Sequence, residues 1–341
     1  MERSFHKINL IDDAKTMFEG KCENVVLEEN IIRLAEGKKE GFVESYEISC
    51  DGFTKMVSSW VAITDKTKTV EVMIKVRVDG IWSKYLSYGA WGLGRENYYY
   101  NDEDELAEIF VDEIYIKNGK KADGVMYKVI LRKDEEESPE LKNICVMLHS
   151  NVNNYEYDGD NSNLPNIVEY NVPRLNQNIV PVIGEEMCSA TTTAMLLKYH
   201  GFDFTEFDEF EHRYVASLVA DPGHNAPTYG NWAFNTAVIG AYGLTSFTYG
   251  MTGWEELKHH LATVGPVGAS IKGDTGVYKT PGHLLVVIGY KIVNGNTFVV
   301  CNDPNINSRF GEGLFVRYEY PLDVFMNFWR KVVYTVSKWI M

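Results

Sequence analysis

Cys188 heads an apolar run that predicts a helix over Ser189–His200. Far downstream, His283 follows Pro281-Gly282 and opens the apolar stretch Leu284–Ile288. Asp303 then follows a hairpin signal at Asn294-Gly295. A thiol, an imidazole and a carboxylate are the parts of nucleophilic acyl chemistry. The thiolate attacks a carbonyl, the imidazole moves the proton, and the carboxylate fixes the imidazole tautomer and favours its protonated form. A helix start suits the thiolate, because its unpaired N–H groups and dipole favour negative charge. Glu185 and Glu186 oppose that charge unless they turn to water. Upstream, Gln177 can donate to a developing oxyanion together with the Cys188 backbone N–H. Each residue alone has a plainer reading: a buried structural Cys, a hydrogen-bonded core His, a polar loop Gln. Their conjunction, in this order, is what points to one mechanism.

The His–Asp pairing carries a geometric condition. Counted back from the turn, Asp303 falls opposite Val286 or Val287. A three-residue loop, Asn294–Asn296, puts His283 and Asp303 on one face of the sheet. A two-residue loop does not, because side chains alternate, and the two residues meet only if the strand twists or bulges near Asn302. Asn302 is the substitute orienter. Gly282 permits close approach of backbone or substrate beside His283. Asn231 and Trp232 are candidates to line a substrate cleft, and equally suit the start of a helix.

The elements that must hold these residues come from the second half of the chain. Helices are expected at Ser189–His200, Phe207–Val219, Trp232–Ala241 and Trp254–Val264, the last opened by a capping box from Thr252 to Glu255. Gly201 and Gly265 sit at C-caps. Strands are expected at Val267–Ile271, Leu284–Tyr290, Thr297–Cys301 and Phe315–Tyr320, which is α+β grammar. The first half reads differently. Val70–Val78 alternates almost strictly, Met126–Arg132 and Cys145–Leu148 suit strands, and Asp51-Gly52, Asp79-Gly80 and Asn118-Gly119 are turn signals. This predicts an all-β sandwich, jelly-roll-like, over 20–150, then a linker or long loop over 151–166, then the α+β domain over 167–341. The acidic stretch Asp102–Ala107 is helix-like but short. The aromatic residues Trp82, Tyr85, Tyr88, Trp91, Tyr98, Tyr99 and Tyr100 could stack on a glycan or peptide; packing in a sandwich accounts for them without a ligand. Asp158, Asp160, Ser162 and Glu169 imitate part of a calcium loop, but Asn163 replaces the turn glycine, so a solvated loop is expected and no metal site.

Bulk properties exclude several classes. The 341 residues are 45% hydrophobic and 24% charged, enough for about two domains with true cores. A net charge of −15 argues against a nucleic-acid partner. No apolar run approaches a membrane span. The start carries no signal-peptide pattern, which reads as cytoplasmic, or extracellular if the start was trimmed. The five cysteines show no CxxC pair, so free thiols are expected rather than a disulfide scaffold or zinc ribbon. No cofactor motif is present; GxxxxGK[ST] is absent.

The segments Val172-Pro173, Gln177, Cys188–Met195, Gly230–Ala237, Gly265-Pro266-Val267, Gly282-His283-Leu284 and Asn302-Asp303-Pro304 together resemble bacterial relatives of the bacteriocin-processing, double-glycine-leader cysteine peptidases. The first half resembles β-sandwich modules joined to such domains. The resemblance implies a papain-like fold with Cys188 as nucleophile, His283 as general base and acid, Asp303 as orienter and Gln177 in the oxyanion hole. Ser189 stands where leader-processing enzymes commonly carry Gly. The expected activity is hydrolysis of a peptide or other amide bond, with transfer of the acyl group to an amine open to the same residues. The alternative from another class is a non-catalytic peptide- or glycan-binding protein on a peptidase-like scaffold. Endo versus exo action and oligomeric state stay open at this stage.

Overall fold

Alternation dominates the first half of the chain in the computed structural model, which describes residues 3–96, 102–221, 228–306 and 315–338. In the strand Lys68–Val78, Val70, Val72, Ile74, Val76 and Val78 are buried, while Glu71, Met73, Lys75 and Arg77 face outward. This period-2 pattern is what a half-buried strand requires. The strand pairs antiparallel with Ala122–Lys133. One sheet runs Arg3–Phe5, Ile48–Phe53, Ala122–Lys133, Glu40–Glu44, Lys21–Glu23; a second runs Ala107–Phe110, Glu113–Ile116, Lys55–Ile63, Glu140–Met147, Ile31–Leu34, Val25–Glu28. Trp60 of the second sheet meets Tyr88 and Trp91 of the first edge-on, with centroids 5.9 and 6.2 Å apart. The region is all-β, closed by an aromatic core.

Several local expectations change here. Asp51-Gly52 makes no turn: both residues lie inside Ile48–Phe53, where the register against Ala122–Lys133 shifts, so the pair forms an irregularity in the ladder. Asp79-Gly80 and Asn118-Gly119 do turn, each with both φ angles positive. Asp102–Ala107 is not helical, because the Asp104 carboxylate accepts the amides of Leu106 and Ala107 and bends the chain. Of the aromatic candidates, Tyr88 and Trp91 are core, and Trp82 and Tyr85 lie under Lys75. Tyr98, Tyr99 and Tyr100 fall outside the described residues.

The chain divides into two compact units. The first is Met1–Asn151 with Ala220–Thr248; the second is Val152–Val219 with Tyr249–Met341. In the second unit, the helix Cys188–Tyr199 packs on an antiparallel sheet whose central order is Trp329–Lys338, Val267–Asp274, Lys279–Val293, Asn296–Asn302, Arg317–Pro321, with Ile167–Glu169 also paired to Lys279–Val293. Its core comprises Val267, Ala269, Leu285, Val287, Val299, Tyr320, Phe325 and Val333, among others. The stretch 151–166 is a loop, tied down where Asn161 donates to Glu255 and Tyr290 donates to the Pro165 carbonyl.

Boundaries move for readable reasons. The helix expected from Phe207 begins at Glu211, because the Asp208 carboxylate takes the Phe210 amide and the Arg213 guanidinium. Thr252 binds Glu256, not Glu255, and Gly253 is the N-cap of Trp254–Thr263. Beyond the last strand read from sequence come a helix, Leu322–Phe328, and a further strand, Trp329–Lys338, which pairs with Val267–Asp274. Among the described residues, no helix is long and apolar enough to cross a membrane.

Candidate active site

The helix that carries Cys188 begins one residue earlier than its hydrophobic pattern indicates, so Cys188 is its first helical residue. The helix is pinned below by buried Ala190, Ala194, Met195 and Leu197. Cys188 itself is partly exposed, whereas Cys50, Cys145 and Cys301 are buried. The five thiols differ electrostatically. Burial raises Cys22, pushes Cys50 up to about 12, and raises Cys145 and Cys301 well above the ordinary thiol value. Burial also acts on Cys188, but the His283 charge, a thiol–imidazole hydrogen bond and the amides of Leu284 and Ser189 outweigh it, leaving this thiol below its ordinary value.

His283 lies within Lys279–Val293, opposite Ile271, in the middle of the sheet. Its Nε2 is 2.8 Å from Asp303 Oδ1. With Nε2 committed there, Nδ1 is left to exchange a proton with sulfur. Burial would strip the imidazole of its proton, yet the charges of Asp303 and Cys188 raise it above the ordinary histidine value.

Asp303 is fully buried and accepts four hydrogen bonds. His283 and the Asn305 amide (3.0 Å) meet Oδ1, while the hydroxyls of Tyr278 (2.7 Å) and Tyr320 (3.0 Å) meet Oδ2. Burial alone would raise its pKa; the His283 charge and these donors hold it below the usual carboxylate range. The same burial, with the Asp303 charge, raises both phenols.

How Asp303 reaches His283 is a matter of parity. The hairpin loop is the two-residue Asn294-Gly295, both with positive φ, since Val293 pairs with Asn296. A regular ladder would then set Asp303 against Val286 and turn it from the His283 face. A bulge between Val287 and Gly289 shifts the register by one, so Val286 pairs with Asn302 and Asp303 comes to the His283 face. The correction sits on the strand opposite the one where it was expected. At Gly289, a Cβ would lie 1.9 Å from the Val168 carbonyl oxygen, so the bulge is tied to the neighbouring strand by a close backbone approach.

Gln177 is buried in a short turn capped by Asn176, whose side chain accepts the Asn178 amide. Its backbone N–H donates to the Pro304 carbonyl at 3.0 Å, linking this turn to the Asp303 segment. Its Nε2 donates to the Gly184 carbonyl at 2.7 Å, which fixes the amide orientation and leaves the second N–H to another acceptor. Behind the turn, buried His212 places Nε2 3.1 Å from the Asn176 carbonyl.

Cys188, His283, Asp303 and Gln177 thus share the second unit, as does exposed Gly282, where a Cβ would meet nothing within 4 Å. Asn231 and Trp232 belong to the first unit. Asn231 caps the helix Trp232–Ala241 through the Phe234 amide at 3.0 Å and donates to Asp221, and the Trp232 amide donates to Asp112. Asn302, the substitute orienter, is occupied elsewhere, donating to the Val172 carbonyl at 3.0 Å. Of the calcium-loop residues, Glu169 is paired with Arg317 and Lys291, and among the described residues no cluster of three or more His, Cys, Asp or Glu is placed to hold a metal. Sequence reasoning missed Tyr278, Tyr320 and His212, which carry no motif of their own.

Comparison with known proteins gives two family matches. Residues 169–336 match the model described as the Peptidase_C39 like family, and residues 39–149 match the Peptidase C39 N-terminal domain. Among solved structures, digestive procathepsin L 3 of Tenebrio molitor larval midgut is similar at 12% identity and a TM-score of 0.32, covering 55% of this chain and 77% of that one. No curated protein matches.

Proposed function

Because the chain belongs, through residues 169–336, to the Peptidase_C39 like family, we propose that it is a cysteine peptidase in which Cys188, His283 and Asp303 form the triad and Gln177 supplies an oxyanion donor. The observation that carries this reading is the state of one thiol. Of five cysteines, Cys188 alone is lowered, and His283, fastened to a buried aspartate, is what lowers it. The resting site is a thiolate–imidazolium pair. Cys188 Sγ attacks the peptide carbonyl, forming the C–S bond while the carbonyl electron pair moves onto oxygen. The Cys188 amide and the second Gln177 N–H receive that oxyanion. As it collapses, the C–N bond breaks and His283 Nδ1 gives its proton to the departing amine. Water then attacks the thioester and gives a proton to His283. Breakage of the C–S bond releases the acid and restores the pair. Gly282, open beside His283, offers room for the substrate backbone. A binding protein on a retired scaffold would be marked by sulfur and imidazole out of contact, or by a cleft filled by Met187 or the linker, and the Cys188–His283 interaction counts against the first of these.

The test is a thiol probe followed by a peptide library. Iodoacetamide alkylates Cys188 faster than the other four cysteines, by about tenfold or more at pH 7, and His283→Ala removes the preference. Cys188→Ala abolishes cleavage of every library peptide while leaving the unfolding midpoint unchanged. Equal labelling of all five thiols, or cleavage that survives Cys188→Ala, refutes the assignment.

A further inference from the structure

The buried carboxylate at the end of the triad is held by more than His283. Tyr278 comes from the hairpin that joins Val267–Asp274 to Lys279–Val293, and Tyr320 comes from the neighbouring strand Arg317–Pro321; both hydroxyls converge on the same oxygen, Asp303 Oδ2. Tyr278 also sets its ring edge-on to the His283 imidazole, centroids 5.8 Å apart at 88°. Tyr320 is itself fully buried, packed edge-on to Phe328 at 5.1 Å.

We propose that Tyr278 and Tyr320 are positioning residues for the triad: by donating to Asp303 Oδ2 they keep the carboxylate ionised and aim Oδ1 at His283 Nε2. This rests on the peptidase reading and extends it to residues that touch neither substrate nor sulfur. A carboxylate without access to water needs donors for both oxygens, or it takes up a proton. Here Oδ1 is served by His283 and the Asn305 amide, so Oδ2 depends on the two phenols. Charge-assisted O–H donors are about twice as strong as neutral ones, and two from different elements also fix the carboxylate plane. If one is lost, Asp303 regains stabilisation by rotating, admitting water or binding a proton. Each outcome loosens Nε2–H, disfavours the imidazolium and lets the thiolate appear only at higher pH. The titratable groups facing this cluster are Cys188 from the helix Cys188–Tyr199, Tyr278 from the hairpin, Cys301 from the strand that ends just before Asp303, and Tyr320 from the next strand, with Arg317 acting on Cys301.

The experiment is the pH dependence of Cys188 alkylation by iodoacetamide, mapped by mass spectrometry, in the full chain and in Tyr278→Phe, Tyr320→Phe and the double variant. It needs no substrate, and Phe keeps both rings in place. The midpoint of Cys188 alkylation moves upward by about half a pH unit in each single variant and by about one unit in the double. Asp303→Asn gives the limiting shift. Tyr278→Phe, at the less buried hydroxyl, carries the test if Tyr320→Phe fails to fold. An unchanged or lowered midpoint in folded Tyr278→Phe overturns the proposal. A wild-type Cys188 that titrates at the ordinary thiol value removes the peptidase reading itself, so the two failures are distinguishable.

Discussion

At the scale of the residue, the site is an exchange of charge among three buried or half-buried groups, and its pH behaviour follows with a definite sign. Cys188 is lowered and His283 raised, the latter to about 10, so thiolate and imidazolium coexist between those two values. Below the Cys188 value the sulfur is protonated and attack stops. Above about 10 His283 has no proton for the leaving amine. On the proposed mechanism, peptide hydrolysis is expected to be bell-shaped in pH, with its acid limb under the ordinary thiol value and its alkaline limb near pH 10, whereas alkylation of Cys188 rises through the first limb and then stays level. Stopped-time hydrolysis and alkylation run on one pH series separate the two limbs; a hydrolysis plateau continuing well past pH 10 contradicts the role of His283 as acid. Residue types and their order singled out Cys188, His283 and Asp303 as candidates in the sequence, because each proposed role admits few side chains, and the fold brings His283 and Asp303 within hydrogen-bond distance. Tyr278 and Tyr320 were not legible: a tyrosine is ordinarily a core residue, and only the folded sheet reveals that both hydroxyls end on one carboxylate.

At the scale of the element, the sheet's parity decides whether a triad exists. Asn294-Gly295 was readable as a tight turn, and the condition that such a turn imposes was readable too. The position of the compensating bulge was not. It depends on Gly289 meeting the backbone of Ile167–Glu169, a short strand just after the Asn- and Asp-rich stretch 151–166, where no strand was anticipated. Gly289→Ala tests the dependence. The added Cβ would sit 1.9 Å from the Val168 carbonyl oxygen, against backbone that cannot simply rotate away. The expected cost is about 2–4 kcal/mol in denaturant unfolding, with faster amide exchange across Ile167–Glu169. Even in the fraction that remains folded, the Cys188 alkylation rate falls, because a regularised ladder turns Asp303 from His283. A variant with full stability and wild-type thiol reactivity rules out the bulge as the device that sets the triad.

At the scale of the whole molecule, the order of residues and the grouping of folded units do not coincide. The family match over 169–336 includes Ala220–Thr248, yet that segment folds with Met1–Asn151. Within the first unit, Phe234 packs edge-on to Trp60 at 6.4 Å, Asn231 donates to the Val111 carbonyl, and the Thr248 amide donates to Ser59 at 3.1 Å. Hydrophobic periodicity located the helix Trp232–Ala241 correctly but could not say which sheet it covers, since a helix apolar on nearly every face gives no direction. The consequence is a prediction about dissection. In a chain comprising residues 152–341 alone, Trp232, Phe234, Val238 and Ile239, all buried in the intact protein, lose the sheet they cover. At about 1.5–3 kcal/mol for each such side chain, the loss is comparable to the whole stability of an ordinary domain, about 5–15 kcal/mol. That fragment is expected to aggregate or to unfold without cooperativity, with Cys188 no more reactive than a free thiol. Deleting the helix Trp232–Ala241 from it and closing the gap with a short glycine-rich linker removes the apolar burden and should recover solubility. A soluble 152–341 fragment with a cooperative transition and an enhanced Cys188 would mean that Ala220–Thr248 needs no cover from the first 151 residues.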